Sequence, residues 1–233
     1  SDPSAELISG QIRNSNAPYL QTLLPLLGAE LCAYQLLDDQ PQQFEGLLQR
    51  LLASDCAPDI ILTTGGVSAG RWDFIPAAVN KMGAKTIFHK VSIRPGKPIL
   101  FSTFESGCLL GLPGNPISAA VGARFFLYPL LRQLFGLPTE LPITAHLQHA
   151  CRKKSGFRCF YKARMALTPQ ARVRVELLAG QESFKVNSLL KANCWAVLSE
   201  QQDAYQAGEA IALYPLLPLV SEPSAFEERV DVR

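Results

Sequence analysis

The chain lacks the marks of a membrane span, a nucleic-acid binder or a structural metal site. None of its six cysteines (Cys32, Cys56, Cys108, Cys151, Cys159, Cys194) stands in a CxxC pair. Zinc ribbons and dithiol redox sites need that close spacing, so neither is expected. Thiols scattered this widely read as reduced residues of a cytoplasmic protein. No apolar run reaches the ~20 residues needed to cross a bilayer. The apolar stretch from Leu213 to Val220 is broken by Pro215 and Pro218. No basic segment followed by an apolar one opens the chain, so no signal peptide is read there. Net charge is small, with 22 basic and 20 acidic residues giving +2. That balance does not call for nucleic acid, and any basic site has to be local. His89, His146 and His149 have neither metal-site nor triad spacing and read as structural.

What the chain does have is a core. Hydrophobic residues make up 48% of 233 residues, enough for one large domain or two modest ones. The stretch from Ile60 to Pro116 holds three apolar runs, each ending in a loop of glycine, proline and polar groups. Ile60-Ile61-Leu62 reads as a buried strand, and Gly65, Gly66 and Gly70 around Ser68 let the following backbone turn close to a ligand. N–H groups freed there, before a helix starting near Phe74, suit an anionic oxygen. Arg94-Pro95-Gly96-Lys97-Pro98 puts two cations on a stiff turn, with Lys90 just upstream. Leu112-Pro113-Gly114-Asn115-Pro116 ends in a helix-starting proline. If all three loops share one end of a sheet, they make a basic, glycine-lined pocket for a phosphorylated ligand.

The rest of the chain supplies elements around these loops. The first nine residues are short and polar and read as the cut edge of something longer. Asn14-Ser15-Asn16 reads as a cap for the helix from Tyr19 to Leu27, with ligand contact at that helix start left open. Glu30 to Leu37 reads as a strand ending in Asp38-Asp39, either a solvated turn or a carboxylate at the ligand edge of an α/β sheet. Gln42 to Leu52 and Phe74 to Met82 read as helices. Thr86 to Ile93 and Pro98 to Thr103 read as strands, and a long helix runs from Pro116 to about Phe135. This alternation predicts a three-layer α/β domain over residues 1–137. Beyond Gly136 to Pro142 the pattern becomes short strands, including Thr144 to His149, Phe160 to Leu167, Val173 to Leu178 and Ala210 to Tyr214. Residues 138–233 therefore read as a small all-β domain, a partly open barrel. Trp72 either stacks on a ligand or packs over its loop, and Cys108 reads as core.

Taken in order, GQIRNSN, TTGGVSAGRWD, IRPGKP, GLPGNPISAA and SLLKAN resemble the molybdopterin molybdenumtransferase (MoeA) family, related to the E domain of gephyrin. The resemblance covers nearly the whole chain. It implies a pterin-binding α/β fold shared with the adenylating enzyme MogA. It also implies insertion of molybdenum from molybdate into adenylylated molybdopterin, with release of AMP and use of Mg²⁺. The family's active-site carboxylates fall on Asp38 and Asp73, as metal-holding or water-orienting groups, and its basic residues on Lys90, Arg94 and Lys97. Arg94 stands where many members carry lysine. The family's prolines fall on Pro113 and Pro116. In the β domain Lys162 falls where arginine is usual, and Ser183 falls on a serine near the site. Full-length members carry two further domains and form a dimer whose site uses both subunits, so the expectation is a ligand-binding portion of such an enzyme. The alternatives are a non-catalytic molybdopterin-binding or scaffolding module and an adenylyltransferase-like enzyme. The LPGNP loop and the all-β tail favour the molybdenum-inserting group.

Overall fold

A computed structural model describes residues 14–67 and 74–218 of the chain. Helices α1 (Asn16–Leu26) and α2 (Pro41–Leu52) come first, followed by strand β1 (Ile60–Thr64) and helix α3 (Ile75–Lys81). Strands β2 (Lys85–His89), β3 (Ile93–Arg94), β4 (Leu100–Phe104) and β5 (Gly107–Leu112) precede helix α4 (Pro116–Gly122). A π-helical turn, Ala123–Leu127, joins α4 to α5 (Tyr128–Leu134) in one continuous rod. β1, β5, β4 and β2 form a sheet in that order, with β1 parallel to β5 and the other neighbours antiparallel.

Alternation along the strands sends side chains to two opposite cores. Leu110 and Leu112 of β5 meet Leu20, Leu23 and Leu24 of α1 and Ile117, Val121 and Leu127 of the long rod. Ile61 of β1 and Leu109 of β5 meet Phe44 and Leu48 of α2 and Ile75 and Val79 of α3. That is the expected three-layer domain.

The second part holds β6 (Ile143–Leu147), β7 (Cys151–Arg152), β8 (Arg158–Leu167), β9 (Val173–Leu177), β10 (Cys194–Leu198), β11 (Ala204–Tyr205) and β12 (Ala210–Pro215). A 3₁₀ helix, Val186–Lys191, lies between β9 and β10. The barrel expected to be partly open is closed, in the ring β10-β12-β6-β9-β8 with β8 returning to β10. A ring of five cannot alternate direction throughout, and the pair β6–β9 is parallel.

Two strand expectations need correction. Glu30 to Leu37 forms no strand, because among the described residues no neighbouring strand pairs with it, and Leu31, Tyr34 and Leu36 stand exposed. The strand expected from Thr86 to Ile93 ends at His89, because Lys90 takes a left-handed φ of 66°. Ile93 and Arg94 then leave the first sheet and pair in parallel with Arg158 and Cys159 of β8. The two parts also share apolar packing, since Phe160 and Trp195 of the barrel lie in the same cluster as Ile93, Ile99 and Leu127.

Candidate functional site

One row of paired residues places the three loops. His89 pairs with Leu100, Leu100 with Gly111, and Gly111 with Thr63. β1, β2 and β5 end within one residue of this row and β4 begins on it, so the loops at Gly65, Lys90 and Pro113 leave from one edge of the sheet. This is the C-terminal edge of the parallel pair β1 and β5, where open α/β sheets bind ligands.

Close backbone approach then knits the loops together. The Gly65 N–H donates to the Leu112 carbonyl at 2.9 Å. A methyl group on Gly114 would lie 3.6 Å from the Gly65 Cα, so the first and third loops touch backbone to backbone. Gly66 takes a φ of 68°, and a Cβ there would fall 2.8 Å from the Ile75 side chain. The His89 Nε2–H donates to the Val67 carbonyl at 2.9 Å and ties the first loop to β2. Gly111 gives Val67 its room, because a Cβ at that position would lie 2.6 Å from Val67 Cγ1.

The Asn14-Ser15-Asn16 motif does two jobs. Asn14 Oδ1 accepts the N–H groups of Asn16 and Ala17, each at 3.1 Å, and so caps α1. Buried Asn16 donates from Nδ2 to the Gly114 carbonyl at 2.8 Å and anchors the third loop. Ser15 is exposed and makes no side-chain cap.

The second loop closes on itself. Lys90 N–H donates to Ile99 O at 3.0 Å, Val91 N–H to Lys97 O at 2.8 Å, and Ile99 N–H to Gly96 O at 3.2 Å. Lys90, Arg94 and Lys97 are exposed, and among the described residues none is paired with a carboxylate. Left-handed backbone at a lysine costs about 1–2 kcal/mol, and such strain is found where surrounding structure holds a side chain in place. Arg94, carried on β3 to the barrel, lies close enough to lower the Tyr161 and Cys159 pKa values. Burial outweighs that effect and raises both. Pro113 is buried, Pro116 half-buried, and Gly114 and Asn115 are exposed at the rim. Among the described residues the N–H groups of Gly66, Gly114 and Asn115 have no backbone acceptor and remain available to an anion.

Six expected residues are placed differently or lie outside the described residues. Lys162 is fully buried, and its ammonium points at backbone carbonyls of its own domain, which leaves it no donor for a ligand. Ser183, half-buried, contributes its carbonyl to the Ile117 N–H at 3.2 Å. Asp38 is exposed, while Ser68, Gly70 and Asp73 (with Trp72) lie outside the described residues. Among the described residues no three His, Cys, Asp or Glu side chains gather as a metal site. Two open grooves, of about 430 and 420 Å³, lie by Gln42 and by Arg164; neither contains a residue of the three loops, and the second is lined by Leu190, Lys191 and Asn193 of the SLLKAN motif. Sequence reasoning missed the positioning roles of His89 and Gly111. Only the glycine inside an apolar strand gave a signal, since such a residue marks close approach.

The chain thus joins a three-layer α/β domain with a basic, glycine-lined sheet edge to a closed five-stranded barrel. The chain belongs to the family described as the probable molybdopterin binding domain, whose model matches residues 3–133. Residues 144–216 match the MoeA C-terminal region, domain IV. A molybdopterin molybdenumtransferase of Synechococcus elongatus is 41% identical over 93% of this chain and 52% of its own length. One from Haemophilus influenzae is 32% identical over 90% of this chain and 52% of its own. The chain thus spans about half the length of these curated relatives. The crystal structure of a molybdopterin biosynthesis MoeA protein of Pyrococcus horikoshii matches with a TM-score of 0.73 and 22% identity. It covers 93% of this chain and 51% of that one, a likeness of fold.

Proposed function

We propose that this chain binds molybdopterin at the shared loop edge and serves molybdenum insertion: transfer of molybdenum from molybdate to adenylylated molybdopterin, with release of AMP. One observation carries the reading. Three loops meet at one edge of a sheet in a molybdopterin-binding family; the second carries Lys90, Arg94 and Lys97, and among the described residues these cations have no carboxylate partner and the N–H groups of Gly66, Gly114 and Asn115 no backbone acceptor. Molybdate and the pterin phosphates are all anions that repel one another, so fixed Lys and Arg charges would offset that repulsion and hold both reactants. Arg94 presents a planar fork to two oxygens, whereas Lys90 and Lys97 act as point charges. The glycine turns bring N–H donors close without a side chain in the way.

The same reading brings Mg²⁺, with Asp38 and Asp73 to hold it and polarise the phosphate bond to be cleaved. Asp38 stands exposed and ungrouped among the described residues. A second copy of the chain and a MogA-like adenylyltransferase supplying the substrate are the partners this reading implies, with the cytoplasm as compartment.

Calorimetric titration with adenylylated molybdopterin tests the reading. Lys90→Gly is the informative variant, because glycine suits a φ of 66° and leaves the fold intact while the charge is lost. Binding by the wild type that Lys90→Gly weakens at unchanged stability supports the site. Equal binding by both would remove Lys90 from it, and no binding by the wild type would defeat the reading.

A further inference from the structure

A buried lysine with no carboxylate partner is an expensive way to fill space, because an apolar residue of similar volume avoids the desolvation. Among the described residues Lys162 is such a residue: it is 0% exposed, in mid-β8 opposite Trp195. Its Nζ donates to the carbonyls of Gly180 (2.6 Å), Lys185 (3.1 Å) and Glu182 (3.4 Å). An ammonium has three donors, and all three are engaged. Glu182, the acid whose charge bears on Lys162, directs its carboxylate to Lys185 Nζ at 2.8 Å instead. Burial pushes the Lys162 pKa down.

The surrounding hydrogen bonds fold one loop around this side chain. Gln181 bridges the Lys162 backbone, accepting its N–H at 2.9 Å and donating to its carbonyl at 2.8 Å. The Ser188 hydroxyl reaches the Gly180 and Lys185 carbonyls, two of those held by the ammonium. Ser183 lies inside the loop so gathered, and its carbonyl accepts the N–H of Ile117. Ile117 directly follows Pro116 at the start of α4, so this bond joins the barrel to the Pro113–Pro116 loop.

We propose that Lys162 is a positioning residue: its ammonium gathers the Gly180–Lys185 loop of the barrel into the fixed support on which the Pro113–Pro116 loop of the ligand edge rests. The inference rests on the reading of that edge as the molybdopterin site. The lysine acts through backbone carbonyls and touches no ligand.

Amide hydrogen exchange and molybdopterin titration of Lys162→Met and Lys162→Arg test it. Methionine fills the stem volume without donors, and arginine restores them. In Lys162→Met the Ile117 amide should exchange about tenfold faster, the worth of roughly one hydrogen bond, while Ala196 in the barrel core keeps its protection. Molybdopterin affinity should fall with it, and Lys162→Arg should recover part of both. Unchanged Ile117 exchange in folded Lys162→Met overturns the proposal. So does faster exchange with unaltered affinity. If the wild type binds no molybdopterin, the reading of the edge fails, and with it the positioning role, whereas Ile117 exchange still reports whether the support exists. Should Lys162→Met not fold, Lys162→Gln, a shorter side chain with two donors and no charge, takes its place, and unaltered Ile117 exchange there overturns the proposal equally.

Discussion

Removing the Glu140 carboxylate should loosen the joint between the two parts of the chain. Arg124 sits in the π-helical turn with its side chain only 4% exposed. Its guanidinium grips both oxygens of Glu140, at 2.7 and 2.6 Å, and its Nε donates to the Pro215 carbonyl at 2.9 Å. The rings of Phe125, Tyr128 and Tyr214 lie 5.2–5.5 Å from it. Helix, connecting segment and the last barrel strand thus meet on one cation. Deleting one member of a buried pair costs about 3–5 kcal/mol, and Glu140 is itself 18% exposed, so the lower end applies. A loss of about 3 kcal/mol for Glu140→Ala would lower Tm by about 6–12 °C in a chain of this size. Urea unfolding followed by circular dichroism measures it. The double variant Arg124→Met/Glu140→Leu should lose less than Glu140→Ala alone, because no charge is then left buried without a partner. A Glu140→Ala variant within about 0.5 kcal/mol of wild type, the ordinary range for surface changes, would refute the reasoning.

Gly111→Ala forces a methyl group to 2.6 Å from Val67 Cγ1 and 3.2 Å from Leu100 Cβ. Overpacking should cost about 1–3 kcal/mol in urea unfolding, and the shift of Val67 should weaken ligand binding at the first loop. All six thiols are free, and a maleimide at neutral pH should label exposed Cys32 and Cys56 quickly. Cys108, Cys159 and Cys194 should stay unlabelled until unfolding, Cys194 most stubbornly because burial pushes its pKa up to about 12. Burial likewise raises Tyr19 from 10.0 to about 12, so the fold favours its neutral phenol. The stabilisation is fully present below pH 10 and is lost as pH rises towards 12, about 3 kcal/mol for two pH units. Tyr19→Phe should flatten that part of the stability curve.

The loops were legible because glycine and proline act locally: Gly65, Gly66, Pro113 and Pro116 limit their own backbone wherever the chain goes. The runs Phe160 to Leu167 and Val173 to Leu178 likewise announced barrel strands. Long-range pairing was not legible. Nothing in the two residues Ile93 and Arg94 says that they leave one sheet for another, because that choice is made by the open edge of β8. Glu30 to Leu37 has the composition of a strand, but a strand also needs a neighbour. The closing pair β8–β10 depends on residues more than thirty positions apart, such as Lys162 and Trp195. Lys162 showed most clearly the limit of charge as a guide. In sequence it is one more cation near a site, and only the three carbonyls around it show that it works inward. Arg124 is a similar case, fixed by a carbonyl 91 residues away.

The central claim is that three separate loops make one ligand site, and a chemical-shift titration of the isotopically labelled chain with molybdopterin tests it most directly. Shifts are expected at Gly65, Gly66, Lys90, Lys97, Gly114 and Asn115 that saturate at one common ligand concentration, with the grooves near Gln42 and Arg164 silent. Shifts confined to either groove, or loops that respond with unrelated affinities, would contradict it.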